Sequence, residues 1–171
     1  MLLRLAVMVS AFALVLAGQS PDAPKLPSGA QALAVPGSAQ LKYHLIAVGK
    51  QIYKCDNGAW SKTSTPDVTL YDMDSHLKIR HGAGPSWTTV DGNSSVKANG
   101  GTAIHFAAPD GLSIDWLRLD VVPSSGSGEL QNVKFIQRLY TGAGKAPSTG
   151  CSGQQTFDSP YTAHYYFWVT Q

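Results

Sequence analysis

The sequence predicts an all-β, single-domain protein: an antiparallel β-sandwich or flattened β-barrel of about eight to ten strands, stapled by one disulfide. Three observations carry that expectation. Short runs of strand-like residues recur between turn signals such as Asp56-Asn57-Gly58, Asp91-Gly92 and Gly100-Gly101. Only one of the 11 acidic residues is a glutamate (Glu129), while glycine (17) and proline (10) are plentiful; such a composition starves helices and supplies turns. No segment keeps a helical period or an internal repeat.

In chain order, residues 1–20 ("MLLRLAVMVSAFALVLAGQS") read as a secretory signal peptide. Arg4 precedes an apolar run too short for a comfortable membrane span, and small residues follow it, so cleavage is expected after Ala17 or near Ser20. The mature chain is then secreted, periplasmic or extracellular, with no membrane span left. Residues 21–38 carry four prolines and almost no charge, which predicts an extended leader on the surface. Residues 39–171 form the single β domain.

The strand-like runs follow. "LKYHLIAV" and "KQIYKC" lead to the turn at Asp56–Gly58, "VTLYD" and "HLKIR" lead to the loop "HGAGPSW", and "SWTTV" ends at Asp91-Gly92. "SVKA" and "TAIHFA" flank Gly100-Gly101. "LSIDWLRLDVV" and "LQNVKFIQRLYT" are joined by "PSSGSGE" and predict a hairpin. Strict alternation puts Val133, Phe135 and Leu139 on one face of the second strand and Lys134, Ile136, Arg138 and Tyr140 on the other. In the last strand Tyr161, Ala163, Tyr165, Phe167 and Val169 read as core, with Thr162, His164, Tyr166, Trp168 and Thr170 opposite.

The two cysteines, Cys55 and Cys151, form an even pair outside any metal-ligand spacing. In an exported chain they predict one disulfide. The formal charge of +2 falls to +1 once Arg4 is removed, and no basic run exists, so a nucleic-acid partner is not expected.

Several motifs invite chemistry that their neighbours do not support. "GAGKAPSTG" has Leu139 where a phosphate loop needs its first glycine, and Ala146 follows Lys145. Asp72, Asp74 and His76 fit no metal-site spacing, and His76 and His81 are five apart, on opposite faces of a regular strand. Asp115 and Asp120 share that spacing, which argues against a glycosidase pair. No metal and no cofactor are expected.

Two constellations remain. His81, Ser86 and Asp91 would make a small hydrolase if folding brought them together, although Ser86 lacks a nucleophile elbow. The bland alternative is a turn shaped by Gly82, Gly84 and Pro85 and plugged by Trp87. On the last strand His164, Tyr166 and Trp168 would project about 7 Å apart, with Arg138 and Tyr140 beside them if their strand is adjacent. Such a row suits stacking on sugar rings, unless a loop covers it as a second core. Asn93 opens an N-glycosylation sequon, relevant if the source is eukaryotic.

"YKCDNGAW" (53–60), "TLYD" (69–72), "HGAGPSW" with "DG" (81–92), "DWLRL" (115–119), "IQRLYTGAGKAP" with "GC" (136–151) and "YTAHYYFW" (161–168) occur in that order. In this ordered set the chain resembles the secreted bacterial and fungal family known as domain of unknown function 3455. The resemblance implies an exported β-rich domain and brings no assigned activity, cofactor or catalytic residue. Some fungal members carry malate-dehydrogenase labels, which this sequence does not support because it lacks a strand–G-x-G-x-x-G–helix unit. The leading expectation is an exported, non-enzymatic module recognising a glycan or envelope partner through Trp87, Arg138, His164, Tyr166 and Trp168. The rivals are the His81/Ser86/Asp91 hydrolase and a structural surface protein without a defined ligand.

Overall fold

The computed structural model describes residues 22–73, 78–123 and 125–170. The expected signal peptide, Asp74 and His76 lie outside the described residues. Ten strands form one antiparallel sheet: β1 (Gln40–Asp56), β2 (Ala59–Trp60), β3 (Thr65–Tyr71), β4 (Lys78–Gly82), β5 (Ser86–Thr89), β6 (Ser95–Lys97), β7 (Ile104–Phe106), β8 (Trp116–Asp120), β9 (Val133–Ala143) and β10 (Thr156–Val169). The order across the sheet is β6-β5-β4-β3-β1-β10-β9-β8-β7, with β2 paired to β1 off that path.

The sheet curls into a half-barrel rather than splitting into a two-sheet sandwich. Its far edges meet at a short seam, where Ala98 bridges Val121. Asn99 N–H donates to the Asp120 carbonyl at 2.9 Å, and Val122 N–H donates to that of Lys97 at 2.9 Å. Curling removes part of the edge that an open sheet would expose. At the centre of the sheet, β1 pairs with β10 from Gln40–Val169 to Lys54–Thr156. Gly49 lies between β3 and β10 on that strand, and a Cβ there would stand 2.3 Å from the Asp67 carbonyl oxygen. Only glycine permits so close a backbone approach.

The concave face holds the main core, built from Leu45, Leu70, Ile79, Trp87, Leu119, Ile136, Tyr165, Phe167 and their neighbours. The expected core face of β10 lies here. In β9 two bulges overturn strict alternation. Trp168 pairs with Phe135 and Val169 with Val133, leaving Lys134 as the extra residue. Val133 therefore turns inward with Ile136, while Phe135 stays outside. Further along, Thr162 pairs with Gly142 and His164 with Leu139. Tyr140 takes a left-handed φ of 50° and packs its ring against Trp116 at 5.1 Å, so it leaves the face of Arg138.

The proline-rich segment lies against the convex face and is not a free leader. Ala30 and Leu33, around a single 3₁₀ turn (Gln31–Leu33), are fully buried against Trp116, Leu139, Tyr166 and Trp168. Gln137 Nε2 donates to the Leu33 carbonyl at 2.6 Å, and Arg118 Nη1 donates to that of Ala34 at 2.5 Å. These bonds satisfy backbone carbonyls that the irregular segment cannot pair by itself. The disulfide Cys55–Cys151 closes a sequence separation of 96 and ties the end of β1 to the loop before β10, with Cα atoms 5.7 Å apart.

Candidate ligand cavity

Along the concave face the inward residues change character from one end to the other. Toward the end of the sheet that includes Phe167 and Ile136, β4 contributes Ile79, β9 Ile136, β8 Leu119 and β10 Phe167, all buried and apolar. Two residues along the same strands the inward positions become His81, Arg138 and Tyr165, and β1 adds Gln51 and Tyr53. Pairings of Val68 with His81, Pro66 with Gln51, and Arg138 with Tyr165 bring these positions to one end. There they surround a cavity of about 570 Å³, within the ordinary range for small-molecule sites.

The floor is aromatic. His81 and Trp87 sit opposite each other on β4 and β5, and their rings stack at 4.5 Å with planes 5° apart. Tyr165 meets both rings edge-on, at 5.6 Å and 6.2 Å. His81 is 6 % exposed, and burial, its largest influence, pushes its pKa down to about 4, with the Arg138 charge acting in the same direction. The imidazole is therefore neutral at physiological pH. Its Nδ1 lies 3.0 Å from the Ser86 carbonyl, which can only accept. Nδ1 thus carries the proton, and Nε2 keeps its lone pair.

The walls are rich in donors. Gln51 takes a hydrogen bond from Ser64 Oγ to its Oε1 at 2.6 Å, but its buried Nε2 has no partner. The buried Nε1 of Trp87 has none either. Arg138 donates from Nε and Nη2 to the backbone carbonyl of Asp115, at 3.1 Å and 2.7 Å. Among the described residues no carboxylate forms an ion pair with it. The carboxylate of Asp115 turns instead to His105 Nδ1, 3.3 Å away at the exposed rim.

The hydrolase residues are not assembled. Ser86 Oγ donates to the Ala83 carbonyl at 3.0 Å, and His81 reaches only the Ser86 backbone. Asp91 organises its own turn, accepting from Thr89 Oγ1 at 2.5 Å and from the Asn93 backbone N–H at 3.0 Å. These bonds hold its carboxyl below the usual carboxylate range. Local bonds hold each member, so the structure does not bring these rival candidates together, and the loop has the turn geometry of the alternative reading. Asn93, the sequon residue, is exposed and donates its side-chain amide to Asp91 at 2.8 Å.

The expected aromatic platform also changes. Tyr166 and Trp168 are 3 % and 5 % exposed, sealed beneath residues 22–39 as a second core. Trp168 Nε1 donates to Gln137 Oε1 at 2.7 Å. His164 is half-buried, with Nδ1 2.9 Å from His44 Nε2, and burial lowers the pKa of both imidazoles. Trp87 and Arg138 lie on the opposite, concave face. The five proposed binding residues therefore fall into two groups, and Trp87 and Arg138 are the group that lines this cavity.

Over residues 36–169 the chain matches the model of a protein family of unknown function, DUF3455. The chain belongs to this family. No curated protein and no solved structure matches it. The DUF3455 match covers every strand of the half-barrel and excludes most of the segment that seals its convex face. Gln51, Tyr53, Tyr165 and the His105–Asp115 pair went unrecognised as site residues. A usable signal was present: His81 and Arg138 each follow an apolar inward residue by two, as polar side chains on a core face.

Proposed function

We propose that this DUF3455 protein is an exported, non-enzymatic binding module that holds a small organic ligand, or the terminal unit of a larger glycan or envelope component, in the concave cavity. One observation carries the reading: His81, Arg138 and Gln51 stand at inward positions where the rest of the concave face is apolar, and they surround a cavity of about 570 Å³. Polar side chains set among apolar ones around a cavity of this size are what fix a bound ligand's orientation. Export is supported by the disulfide, a bond that persists in oxidising compartments. Among the described residues, Ser86 and Asp91 bond within their own turns and not to the His81 ring, which supports binding over turnover.

The test uses N-phenyl-1-naphthylamine, a neutral fluorescent ring compound, titrated into the mature protein. Saturable one-to-one binding is expected. Ala103→Trp, which fills the cavity mouth, should abolish it. Binding that fails to saturate, or that survives Ala103→Trp in a folded protein, would overturn the reading.

A further inference from the structure

We infer that the cavity selects an anionic ligand, a small organic acid whose carboxylate or similar oxyanion meets Arg138. The inference rests on the binding reading above and adds the chemical class of the ligand.

Charge is the first ground. Arg138 is the inward cation of the cavity, Lys62 and Lys145 lie exposed at its rim, and the one lining acid, Asp115, directs its carboxylate to His105. Arg138 is half-buried inside the barrel, and what it meets is neutral: the Asp115 backbone carbonyl, with the Tyr161 and Tyr165 hydroxyls alongside. A guanidinium drawn partly out of water without a counter-ion is costly, and a planar oxyanion is the partner its donor fork matches.

Hydrogen-bonding capacity is the second. Arg138 spends its Nε and one Nη2 hydrogen on a neutral carbonyl and has further N–H hydrogens to offer, and an oxyanion is all acceptor. A cationic ligand would face Arg138 at short range. His81 Nε2 offers the complementary feature, a lone pair able to accept from a hydroxyl elsewhere on the ligand. The volume of about 570 Å³ suits a small organic acid, not a bare inorganic ion.

A matched pair of probes isolates the charge. 8-Anilino-1-naphthalenesulfonate carries a sulfonate on the scaffold of N-phenyl-1-naphthylamine. The wild-type protein should bind the anionic probe at least about tenfold more tightly, since a charge-assisted contact of ordinary strength gives that ratio. Arg138→Gln should erase the preference, bringing the two probes to within about twofold of each other, and Arg138→Lys should keep part of it. Lys62→Gln with Lys145→Gln, both on the exposed rim, should leave the ratio within about twofold. Equal affinities for the two probes in the wild type would sink the inference while the cavity reading stands. So would a preference that survives Arg138→Gln or vanishes with the rim lysines. If neither probe saturates, the cavity reading itself fails. The wild-type ratio and the rim variant still decide the matter if Arg138→Gln does not fold.

Discussion

The two faces of the half-barrel carry similar side chains and use them differently. The concave face presents His81, Trp87, Tyr165 and Arg138, and the convex face presents His164, Tyr166, Trp168 and Arg118. On the convex face the Trp168 indole donates to Gln137, and Gln137 donates onward to the Leu33 carbonyl. On the concave face the Trp87 indole and the Gln51 amide donate to nothing. Both tryptophans are buried, so burial alone does not distinguish structure from site, and unmet donors occur on both faces, Arg118 Nε on the convex one included. What differs is the space beside the rings: residues 22–39 seal the convex ones, whereas the concave ones stand beside a cavity.

Removing the convex ring altogether gives the largest expected effect. Trp168→Ala should cost about 3–5 kcal/mol, because it empties a packed site and strands Gln137. Denaturant midpoints would measure it. The neutral probe should still bind the folded fraction with wild-type affinity. Equal losses of binding and stability would mean that the two faces do not act separately.

The pH dependence of stability sharpens the contrast next. The unfolded His81 imidazole protonates as pH falls below about 6.5, whereas the folded one resists until about 4. Above this window both states are neutral and His81 contributes no slope. Within it, falling pH favours the unfolded chain, and the loss levels off below about 4. The total is roughly 3 kcal/mol. His44 and His164 are shifted in the same direction and add to the slope. His81→Phe should therefore flatten most, not all, of the loss between pH 6.5 and 4 in urea titrations at stepped pH. An unchanged slope would place His81 in contact with water.

Trp→Phe exchanges at the two faces isolate the indole N–H. Trp168→Phe leaves Gln137 Oε1 without its donor, whereas Trp87→Phe removes a donor that had no acceptor. Both lose similar ring volume, so the difference between them reports the hydrogen bond. Trp168→Phe should be the more destabilising by about 1–3 kcal/mol. A difference near zero would show that Trp87 Nε1 has a protein partner in solution.

The sequence made the sheet legible and left its curvature obscure. Alternation along Tyr161–Val169 marks the core face because every second residue is large and apolar, and Cys55 with Cys151 marks the staple because no other thiol exists. The bulges at Lys134 and Tyr140 could not be read, since nothing in a run of alternating residues says where one is skipped. Their omission moved Val133 and Tyr140 to the wrong faces. The seal over Tyr166 and Trp168 was equally hidden. It depends on Leu33 meeting residues more than a hundred positions away, and a proline-rich segment gives no periodicity from which to infer docking. The same limit applies to the site. His81, Ser86 and Asp91 are close in sequence, which suggested chemistry, while the residues that do gather around Arg138 come from β1, β4, β5 and β10.

Ser86 supplies the smallest effect and the last discrimination. Its hydroxyl closes the β4–β5 turn by donating to the Ala83 carbonyl, and its backbone carbonyl fixes the His81 tautomer. Only the first of these uses the side chain. Ser86→Ala should therefore cost no more than about 1 kcal/mol, leave the His81 ring in place and leave probe binding unchanged. It should also leave any trace of ester hydrolysis in the preparation as it was, because a hydroxyl held by a carbonyl, with no imidazole nitrogen free toward it, is not an activated nucleophile. The informative contrast is with Ser86→Pro, which keeps the carbonyl and removes the backbone N–H along with the hydroxyl. That variant should disturb the turn and the His81–Trp87 stack together, lowering probe affinity. If Ser86→Ala alone abolished both probe binding and a hydrolytic activity, the hydroxyl would belong to the cavity's chemistry, and the division between a satisfied loop and an unsatisfied cavity would have to be redrawn at this residue.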